Sequence, residues 1–416
     1  MKKVLIIGHF WPYRGGSARM LRLAKYLPSF GWEPIIITGP LERKPDFNIR
    51  YEEINYPCFF GLRSQKDIGD QLKEKSGIFP SAIKHYFLKP IYNFIREIIA
   101  YPDEHKYWEK AAIKKAAEII ENEEINAIIS IWPVTSHTIA NKLKEKYKIP
   151  WIADFPDLWT QNYYYIYGRI RKFFEKRLEI KTLLSADALV TVSSPMAESL
   201  KTLHKKEVYV IHHGFNLEDI NVLPIDLTNK FTLTYTGQIY VGKQDPFKLL
   251  FALRDLIAEK IVDSSDIEVR LYGPKRDWLN KKIKIYKLPD IIKQYGVISR
   301  TESLKKQRES QALILLKWED EKSKGVYTGK IFEYLVSKRP ILATGGTDDV
   351  VTELLKETNA GIDAQTVEDI KRAIKEMYLE YKNNRKVVYR GDINKINKYS
   401  VRETVKKYAD ALNRIT

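Results

Sequence analysis

The segment at residues 325–335 gives the clearest indication of chemistry, because glycines punctuate it and it carries Lys330 and Glu333. The pattern predicts a loop that leads into a helix, with Lys330 in the first turn. The helix dipole opposes a lysine there, so this placement favours a bound anion. Glu333 shares a helix face with Lys330, and the pair predicts a phosphate contact beside a ribose acceptor. A plain surface ion pair is the alternative.

A second glycine loop, at residues 8–17, lies between an apolar run and an amphipathic stretch. Gly15 and Gly16 let the backbone approach a ligand, and the start of the following helix would bind a phosphate. The loop is not of the G-x-G-x-x-G type, and no acidic residue ends the second strand at Thr38. Both points count against a nicotinamide cofactor. A tight turn that needs glycine is the alternative.

The elements that position these loops alternate along the chain. Short apolar runs predict buried strands and charged segments between them predict helices, which indicates an α/β protein with parallel sheets covered on both faces. The predicted strands are 4–7, 35–38, 127–132, 150–154, 188–192, 208–211, 231–236, 267–272, 312–316 and 340–343. Predicted helices include 17–27 and 401–414.

A change of pattern marks a domain boundary near residue 222. Residues 216–230 have no clear periodicity and contain Pro224, and a second alternation of strands and helices follows them. A chain of 416 residues fits two domains of about 200 residues each. We predict domains at 1–222 and 223–396, followed by a C-terminal helix within 397–416.

The composition is basic, with 70 Lys and Arg against 53 Asp and Glu and a net charge of +17. This surplus is spread over both halves, which fits nucleic acid, an anionic membrane or a phosphate-bearing substrate as partner; plain solubility is the alternative. Cys58 is the only cysteine, so the chain holds no internal disulfide or cysteine metal site, and a reducing cytoplasm fits. The apolar start is too short for a signal peptide, and no run reaches the roughly 20 residues of a membrane span.

Residues 66–115 interleave apolar and aromatic side chains with lysines and an arginine. Helices of this kind could lie on an anionic membrane. Packing of the apolar stripe on the sheet is the alternative, because any surface helix has such a stripe.

The pattern Lys330-x-x-Glu333-Tyr334-Leu335, with residues 338–343 after it, resembles the donor-site helix of family 4 glycosyltransferases, which have the GT-B fold. Further segments resemble that family in the same order along nearly the whole chain. They are the loop with Gly15-Gly16, residues 185–193, residues 211–216, residues 236–239 with Lys243, Leu271-Tyr272-Gly273, and the terminal helix.

The resemblance implies two Rossmann-like domains that face a central cleft, with a C-terminal helix that crosses back to the N-terminal domain. The first domain would bind the acceptor and the second the nucleotide sugar. The implied donor-binding residues are Gly15, Gly16, Gly237, Lys243, Gly273, Tyr327, Thr328, Gly329, Lys330 and Glu333.

The resemblance also implies roles within that set. The backbone N–H of Gly16 would contact the donor diphosphate, and Glu333 would hold the ribose hydroxyls. Lys243 and Lys330 would neutralise the diphosphate as it leaves, so no metal ion or other cofactor is expected. The family retains the anomeric configuration, and the acceptor attacks from the face of the leaving group.

Three positions depart from the family pattern. Gly325 occupies the place of the first of two glutamates, which contacts the donor sugar, although Glu319, Asp320 and Glu321 lie just upstream. Gln238 replaces an arginine of the diphosphate loop. Pro156 stands where the family often has a histidine.

Asp157 or Asp154 could take over the acceptor-side role of that missing histidine, because a carboxylate can position or deprotonate a hydroxyl. Loop capping is the alternative for both aspartates. His137 follows another predicted strand and could face the cleft, or it could be structural. The predicted catalytic residues are Asp157, His137 and Lys330.

The expected function is therefore hexosyl transfer from a nucleoside-diphosphate sugar to a hydroxyl of a saccharide or lipid-linked acceptor. The enzyme would make surface polysaccharide or glycolipid in the cytoplasm or on the inner face of the membrane. One alternative is a nucleotide-sugar epimerase of the same fold. Another is a basic binding protein, but no DNA or RNA module is present, so no nucleic-acid partner is expected.

Overall fold

The structure is a computed structural model that describes residues 1–9, 17–41, 44–45, 47–56, 101–162, 164–216, 225–244 and 246–416. Gly15 and Gly16, Cys58, residues 66–100 of the basic segment and the predicted domain boundary at residue 222 therefore lie outside the described residues.

The strands within this part of the chain are β1 (Lys2–Ile7), β2 (Trp32–Thr38), β3 (Tyr51–Glu53), β4 (Ala127–Ile131), β5 (Trp151–Phe155), β6 (Ala188–Thr191), β7 (Val208–Val210), β8 (Phe231–Thr236), β9 (Ile267–Tyr272), β10 (Ile292–Gly296), β11 (Ala312–Leu316), β12 (Ile341–Thr344) and β13 (Gly361–Ala364). The α-helices are α1 (Ser17–Tyr26), α2 (Glu109–Asn122), α3 (Val134–Tyr147), α4 (Arg169–Leu183), α5 (Ser194–His204), α6 (Phe247–Ala258), α7 (Asp277–Ile285), α8 (Arg300–Glu309), α9 (Gly329–Ser337), α10 (Val350–Thr358), α11 (Val367–Asn384), α12 (Ile393–Asn397) and α13 (Val401–Ile415).

Both sheets are parallel and follow the same winding order. The first is β3-β2-β1-β4-β5-β6-β7 and the second is β10-β9-β8-β11-β12-β13. The order reverses beside β1 in one sheet and beside β8 in the other, which creates a topological switch point where ligands of such folds bind. The prediction of two Rossmann-like domains is confirmed.

The chain divides into two compact units. The N-terminal unit contains residues 1–211 together with 405–416, and the C-terminal unit contains residues 212–404. Each has its own core. Helices cover both faces of each sheet, so the interior strands are buried; in β1, for example, Val4, Leu5, Ile6 and Ile7 form a continuous buried apolar run.

Helix α13 is fixed within the N-terminal unit by a buried polar cluster. The Nε atom of Arg19 on α1 donates to Asp154 Oδ2 at 2.7 Å, and the hydroxyl of Tyr408 on α13 donates to the same oxygen at 2.7 Å. The Nη2 atom of Arg19 donates to the carbonyl of Ile211 at 2.8 Å. This cluster joins α1, the end of β5 and α13. Removing one partner of a buried ion pair strongly destabilises the fold, so these three elements are held firmly together.

Residues 101–115 are the described part of the basic amphipathic segment. They include the start of α2, where Ala112 is buried in the N-terminal core. This part packs on the sheet. Among the described residues, no helix is both long and apolar enough to cross a membrane.

Candidate active site

The C-terminal unit brings two of the predicted glycines together at the carboxyl edge of its sheet. Gly237 follows β8 and Gly273 follows β9, with backbone φ angles of 128° and 152°. The Gly237 N–H donates to the carbonyl of Tyr272 at 2.7 Å. A β-carbon on Gly273 would lie well under 3.0 Å from the Gly237 carbonyl oxygen, so both positions require glycine. The two turns therefore pack closely against each other beside the switch point.

The side chain of Lys330, in the first turn of α9, lies against the Gly237 turn. Thr328 caps the helix by accepting a hydrogen bond from the Lys330 N–H at 3.3 Å. A β-carbon on Gly237 would lie under 3.0 Å from Lys330 Cε, and Lys330 Nζ lies 5.3 Å from the centre of the Tyr235 ring. The fold therefore gathers Gly237, Gly273 and Lys330, which are far apart in the sequence.

The environment of Lys330 is unfavourable for a cation that has no anionic ligand. Burial lowers the pKa of Lys330, and the nearby charge of Glu333 opposes that shift only in part. The N-terminal end of α9 adds a positive dipole at the same place. A bound phosphate would relieve both penalties, and the backbone N–H groups of the first helical turn could donate to it.

Gly329 is the first residue of α9, and it is exposed. A β-carbon there would meet nothing within 4 Å, and its φ angle is not in the positive region. Packing therefore gives no reason for glycine at this position. Close approach of a ligand to the backbone would give one.

Tyr327 and Thr328 precede this glycine. Thr328 is buried as the helix cap, whereas Tyr327 is half-buried with its ring centre 5.3 Å from that of His212 and 5.4 Å from that of Phe332. Burial raises the pKa of Tyr327 above its ordinary range.

Glu333 lies one turn after Gly329 and is half-exposed. Its Oε1 atom is 3.7 Å from Nε of Arg300, a loose pair at the surface. Such pairs contribute little to stability, so the carboxylate can exchange this partner for a ligand hydroxyl.

Lys243 is held in a different setting from Lys330. Its side chain is exposed, and its Nζ atom lies 5.9 Å from the Trp318 ring centre. Its carbonyl accepts a hydrogen bond from the Glu319 N–H at 3.0 Å, which ties the loop after β8 to the segment after β11. Water screens the charge of Lys243 more than that of Lys330.

The predicted acceptor-side residues lie in the N-terminal unit, and the structure separates their roles. Asp154 is buried in the ion pair with Arg19, so it is structural. Asp157 follows β5 and is exposed, yet desolvation by the surrounding protein raises its pKa. A carboxyl that solvent reaches and that holds its proton more tightly than usual suits a role at a reacting hydroxyl.

His137 is placed differently from the expectation that it faces a cleft. Helix α3 begins at Val134, directly after β4, and turns the imidazole back onto the sheet. The ring is fully buried, stacks on Phe155 at 4.4 Å between centres, and has Nδ1 2.8 Å from Ser130 Oγ. Burial lowers the pKa of His137 to about 3. Because the side chain has no exposed surface, we leave His137 out of the reacting groups.

A cavity of about 330 Å³ opens in the N-terminal unit where β4 and β5 end. Aromatic side chains dominate its wall, joined by acidic groups. Its lining includes His105, Trp132, Trp159, Tyr165, Tyr167 and Glu175. Aromatic faces with a few polar groups are typical of small-molecule sites. Among the described residues, no group of three His, Cys, Asp or Glu side chains is arranged to hold a metal ion.

A sequence model of glycosyltransferase family 4 matches residues 13–219. The chain belongs to this family. No curated protein matches the sequence.

Solved structures place the fold among GT-B enzymes. A glycosyltransferase from Rickettsia africae has a TM-score of 0.64 at 16% identity, over 100% of this chain and 98% of that chain. Anabaena HepE, solved in complex with UDP and glucose, has a TM-score of 0.64 at 11% identity, over 100% of both chains. A UDP-GlcNAc 2-epimerase from Methanocaldococcus jannaschii has a TM-score of only 0.51 at 13% identity, also over 100% of both chains. The shared fold covers both activities, and the family match identifies this chain as a glycosyltransferase.

One polar group of this glycosyltransferase was not among the predicted site residues. Glu319 follows β11, the neighbour of β8 at the switch point, and its Oε2 atom pairs with Lys248 Nζ at 3.0 Å. Its buried Oε1 atom packs against Gly345 and has no hydrogen-bond partner in the described structure. The sequence offered one signal, an acidic run just before the position where the family glutamate is replaced by Gly325.

Proposed function

We propose that this glycosyltransferase moves a hexosyl group from a nucleoside-diphosphate sugar to a hydroxyl of an acceptor, with retention of the anomeric configuration. The observation that carries the proposal is the position of Lys330, a partly desolvated cation at a helix N-terminus beside two glycine turns. That arrangement suits a diphosphate leaving group.

In the proposed reaction the bond between the anomeric carbon and the β-phosphate oxygen breaks, and the acceptor oxygen bonds to that carbon on the same face. The acceptor proton passes to the departing phosphate oxygen. Lys330 and the α9 N–H groups stabilise the negative charge that develops there, with Lys243 as a weaker, more exposed contributor. We propose no metal ion or other cofactor for this step. Gly15 and Gly16 remain predicted backbone contacts to the same diphosphate.

Glu333 and Glu319 would divide recognition of the remaining donor groups. Glu333 can release its surface contact with Arg300 and accept hydrogen bonds from the ribose hydroxyls. Glu319 has a buried carboxylate oxygen that a sugar hydroxyl could satisfy, which would compensate for the loss of the family glutamate at Gly325. Glu319 is accordingly our candidate for the donor-sugar contact.

The acceptor would bind in the N-terminal unit. Asp157 would position the reacting hydroxyl. The aromatic cavity is lined by Leu158 and Trp159, which directly follow Asp157 in the sequence, and by Trp132, and its wall suits the apolar faces of sugar rings. We propose a saccharide or lipid-linked acceptor for surface polysaccharide or glycolipid synthesis. The enzyme would then work in the cytoplasm, peripherally on the inner face of the membrane.

A donor screen tests this proposal. Purified protein would be titrated with UDP-, GDP- and ADP-sugars, starting with UDP-glucose because HepE was solved with UDP and glucose. Slow donor hydrolysis, with the released sugar first appearing in the donor's anomeric configuration by NMR, is the expected result. Protein that neither binds nor hydrolyses any of these donors would contradict the proposal. Conversion of the nucleotide sugar into its epimer without release of nucleotide would establish the alternative activity.

A further inference from the structure

Helix α4 has its polar and apolar faces reversed relative to an ordinary surface helix. Its buried face carries Arg171, Glu175 and Glu179. Arg171 Nε donates to Glu175 Oε1 at 2.5 Å, and Glu175 Oε2 accepts from the Trp159 indole at 3.1 Å. Glu179 accepts hydrogen bonds from the hydroxyl of Thr160 and, at 3.2 Å, from its N–H. The helix is held to its unit by these buried polar contacts.

The opposite face of α4 exposes large apolar side chains. Ile170 is 78% exposed, and Phe173 and Phe174 are each 53% exposed. Ile180 is exposed on the same face, and Leu184 follows the helix at 74%. Their spacing of three, four and seven residues places them on one stripe about 20 Å long. Burying such residues is worth about 1.5–3 kcal/mol each, so a continuous exposed stripe requires a reason.

Cationic side chains of α4 lie beside and within this stripe, whereas its acidic side chains lie on the buried face. Arg169, Lys172, Lys176, Arg177 and Lys181 are all exposed, whereas both acidic residues of the helix are buried. The guanidinium of Arg177 lies over the Phe173 ring at 4.3 Å from its centre. The outward surface of α4 therefore combines five positive charges with apolar anchors and no negative charge.

We infer that this face of α4 docks onto an anionic lipid bilayer, with the helix parallel to the surface, the aromatic side chains among the acyl chains and the cations at the lipid phosphates. A helix whose exposed surface combines apolar side chains with cations is suited to that interface. A second copy of the chain fits poorly, because it would bring two sets of five cations together. This inference rests on the membrane association proposed above. It assigns the contact to α4, whereas the sequence pattern had suggested residues 66–115.

The position of the acceptor cavity gives the docking a use. Glu175 on the inner face of α4 lines the cavity, and so do Tyr165, Ile166 and Tyr167, which directly precede the helix. Ile166 is itself 70% exposed. A helix docked by its outer face would hold the cavity wall next to the lipid surface, where a lipid-linked hydroxyl is found.

Vesicle flotation tests the inference without donor or acceptor, so its outcome is independent of glycosyl transfer. The full chain would be mixed with phosphatidylcholine vesicles, with or without one third of phosphatidylglycerol. We expect binding only to the anionic vesicles, reduced by raised salt. Two triple variants, I170Q/F173Q/F174Q and K176Q/R177Q/K181Q, should each weaken binding by at least about tenfold.

The matched control is K281Q/K284Q/K287Q, which removes three exposed lysines on and just after α7 in the other unit and should bind vesicles like the parent chain. Unchanged circular dichroism and UDP affinity in all variants would show that the fold is intact. Binding that both α4 variants retain, or that the control loses equally, would overturn the inference. So would a concentration-dependent dimer, without vesicles, that the apolar variant abolishes.

Discussion

A β-carbon on Gly237 would lie less than 3.0 Å from the Cε atom of Lys330. The bare backbone after β8 is therefore what allows the lysine side chain to lie along the carboxyl edge of the sheet. Any side chain at residue 237 must displace the cation that we place at the donor diphosphate.

Gly237→Ala should weaken UDP binding by at least about tenfold, which corresponds to about 1.4 kcal/mol. The substitution also forces a positive φ angle, which costs about 1–2 kcal/mol of folding free energy. Gly31→Ala is the matched control, because Gly31 also has a positive φ angle of 85° but nothing within 4 Å of the added carbon. Calorimetric titration with UDP measures the effect. Equal affinity in the two variants would refute a role for the contact between residues 237 and 330.

Lys330→Met should abolish most UDP affinity while keeping or raising the melting temperature. A charged hydrogen bond to phosphate is worth about 1.5–3 kcal/mol, so a loss of about tenfold to hundredfold is expected. The protonated lysine is desolvated in the folded protein, and methionine removes that cost. Lys375→Met, on the exposed face of α11, is the control and should change neither quantity. A large fall in melting temperature with unchanged UDP affinity would assign Lys330 to structure alone.

Alkaline pH should reveal Lys330 through proton uptake. Its pKa is lowered in the protein without ligand, and a bound diphosphate would raise it again. UDP binding should therefore take up protons in the window below the ordinary lysine value of about 10.4, and affinity should fall as pH rises through that window. Titrations near pH 9 in buffers of different ionisation enthalpy measure this uptake. The same uptake in Lys330→Met would contradict the assignment.

Lys330 should also make the folding stability depend on pH, in the opposite direction to UDP affinity: stability should rise with pH where affinity falls. The unfolded chain binds more protons at Lys330 than the folded protein within this window, so the contribution of Lys330 to stability rises as pH rises through it. The parent chain and Lys330→Met should thus converge in melting temperature at high pH.

Glu319→Gln should separate sugar recognition from nucleotide recognition. We expect unchanged affinity for UDP and weaker affinity for the UDP-sugar, because only the sugar would reach the buried carboxylate oxygen. Glu321→Gln, two residues further on and well exposed, provides the control. A parallel loss for UDP and UDP-sugar would place Glu319 outside the sugar contact.

The two aspartates at the end of β5 should respond differently to amidation. Asp154→Asn leaves a buried arginine without its counterion and should cost about 3–5 kcal/mol of folding free energy. Asp157→Asn should leave the melting temperature nearly unchanged but reduce transfer to the acceptor by about a hundredfold, with donor hydrolysis retained. Thermal unfolding and the ratio of transfer to hydrolysis distinguish them. Full transfer activity in Asp157→Asn would remove it from the reaction.

The interior strands of both sheets were predictable from sequence because each carries either a continuous apolar run, as in β1, or regularly alternating apolar residues, as in β9. The strands β3, β10 and β13 were missed, and each lies at the edge of its sheet. Ile292–Gly296 shows the reason, since its outer positions face water and it reads as Ile-Lys-Gln-Tyr-Gly. An edge strand needs its neighbour to exist, and the local sequence does not contain that neighbour.

The candidate site was predictable in its parts and not in its contacts. Glycines and a lysine at a helix start indicated an anion site, but only the fold brings Gly237 under Lys330. His137 shows the opposite case. Its position just after a strand left a cleft-facing and a structural role open, and the start of α3 turned it inward.

The pairing of Tyr408 with Arg19 has a consequence for how the chain folds during its synthesis. These residues are 389 positions apart, and the whole C-terminal unit is synthesised between the body of the N-terminal unit and its last helix. At about 5–20 residues per second, that interval lasts about 10–40 s. During this time the nascent N-terminal unit lacks residues 405–416, which include most of α13, so it stays incomplete until the C-terminal unit has been synthesised, and a chain cut short before residue 405 never completes it.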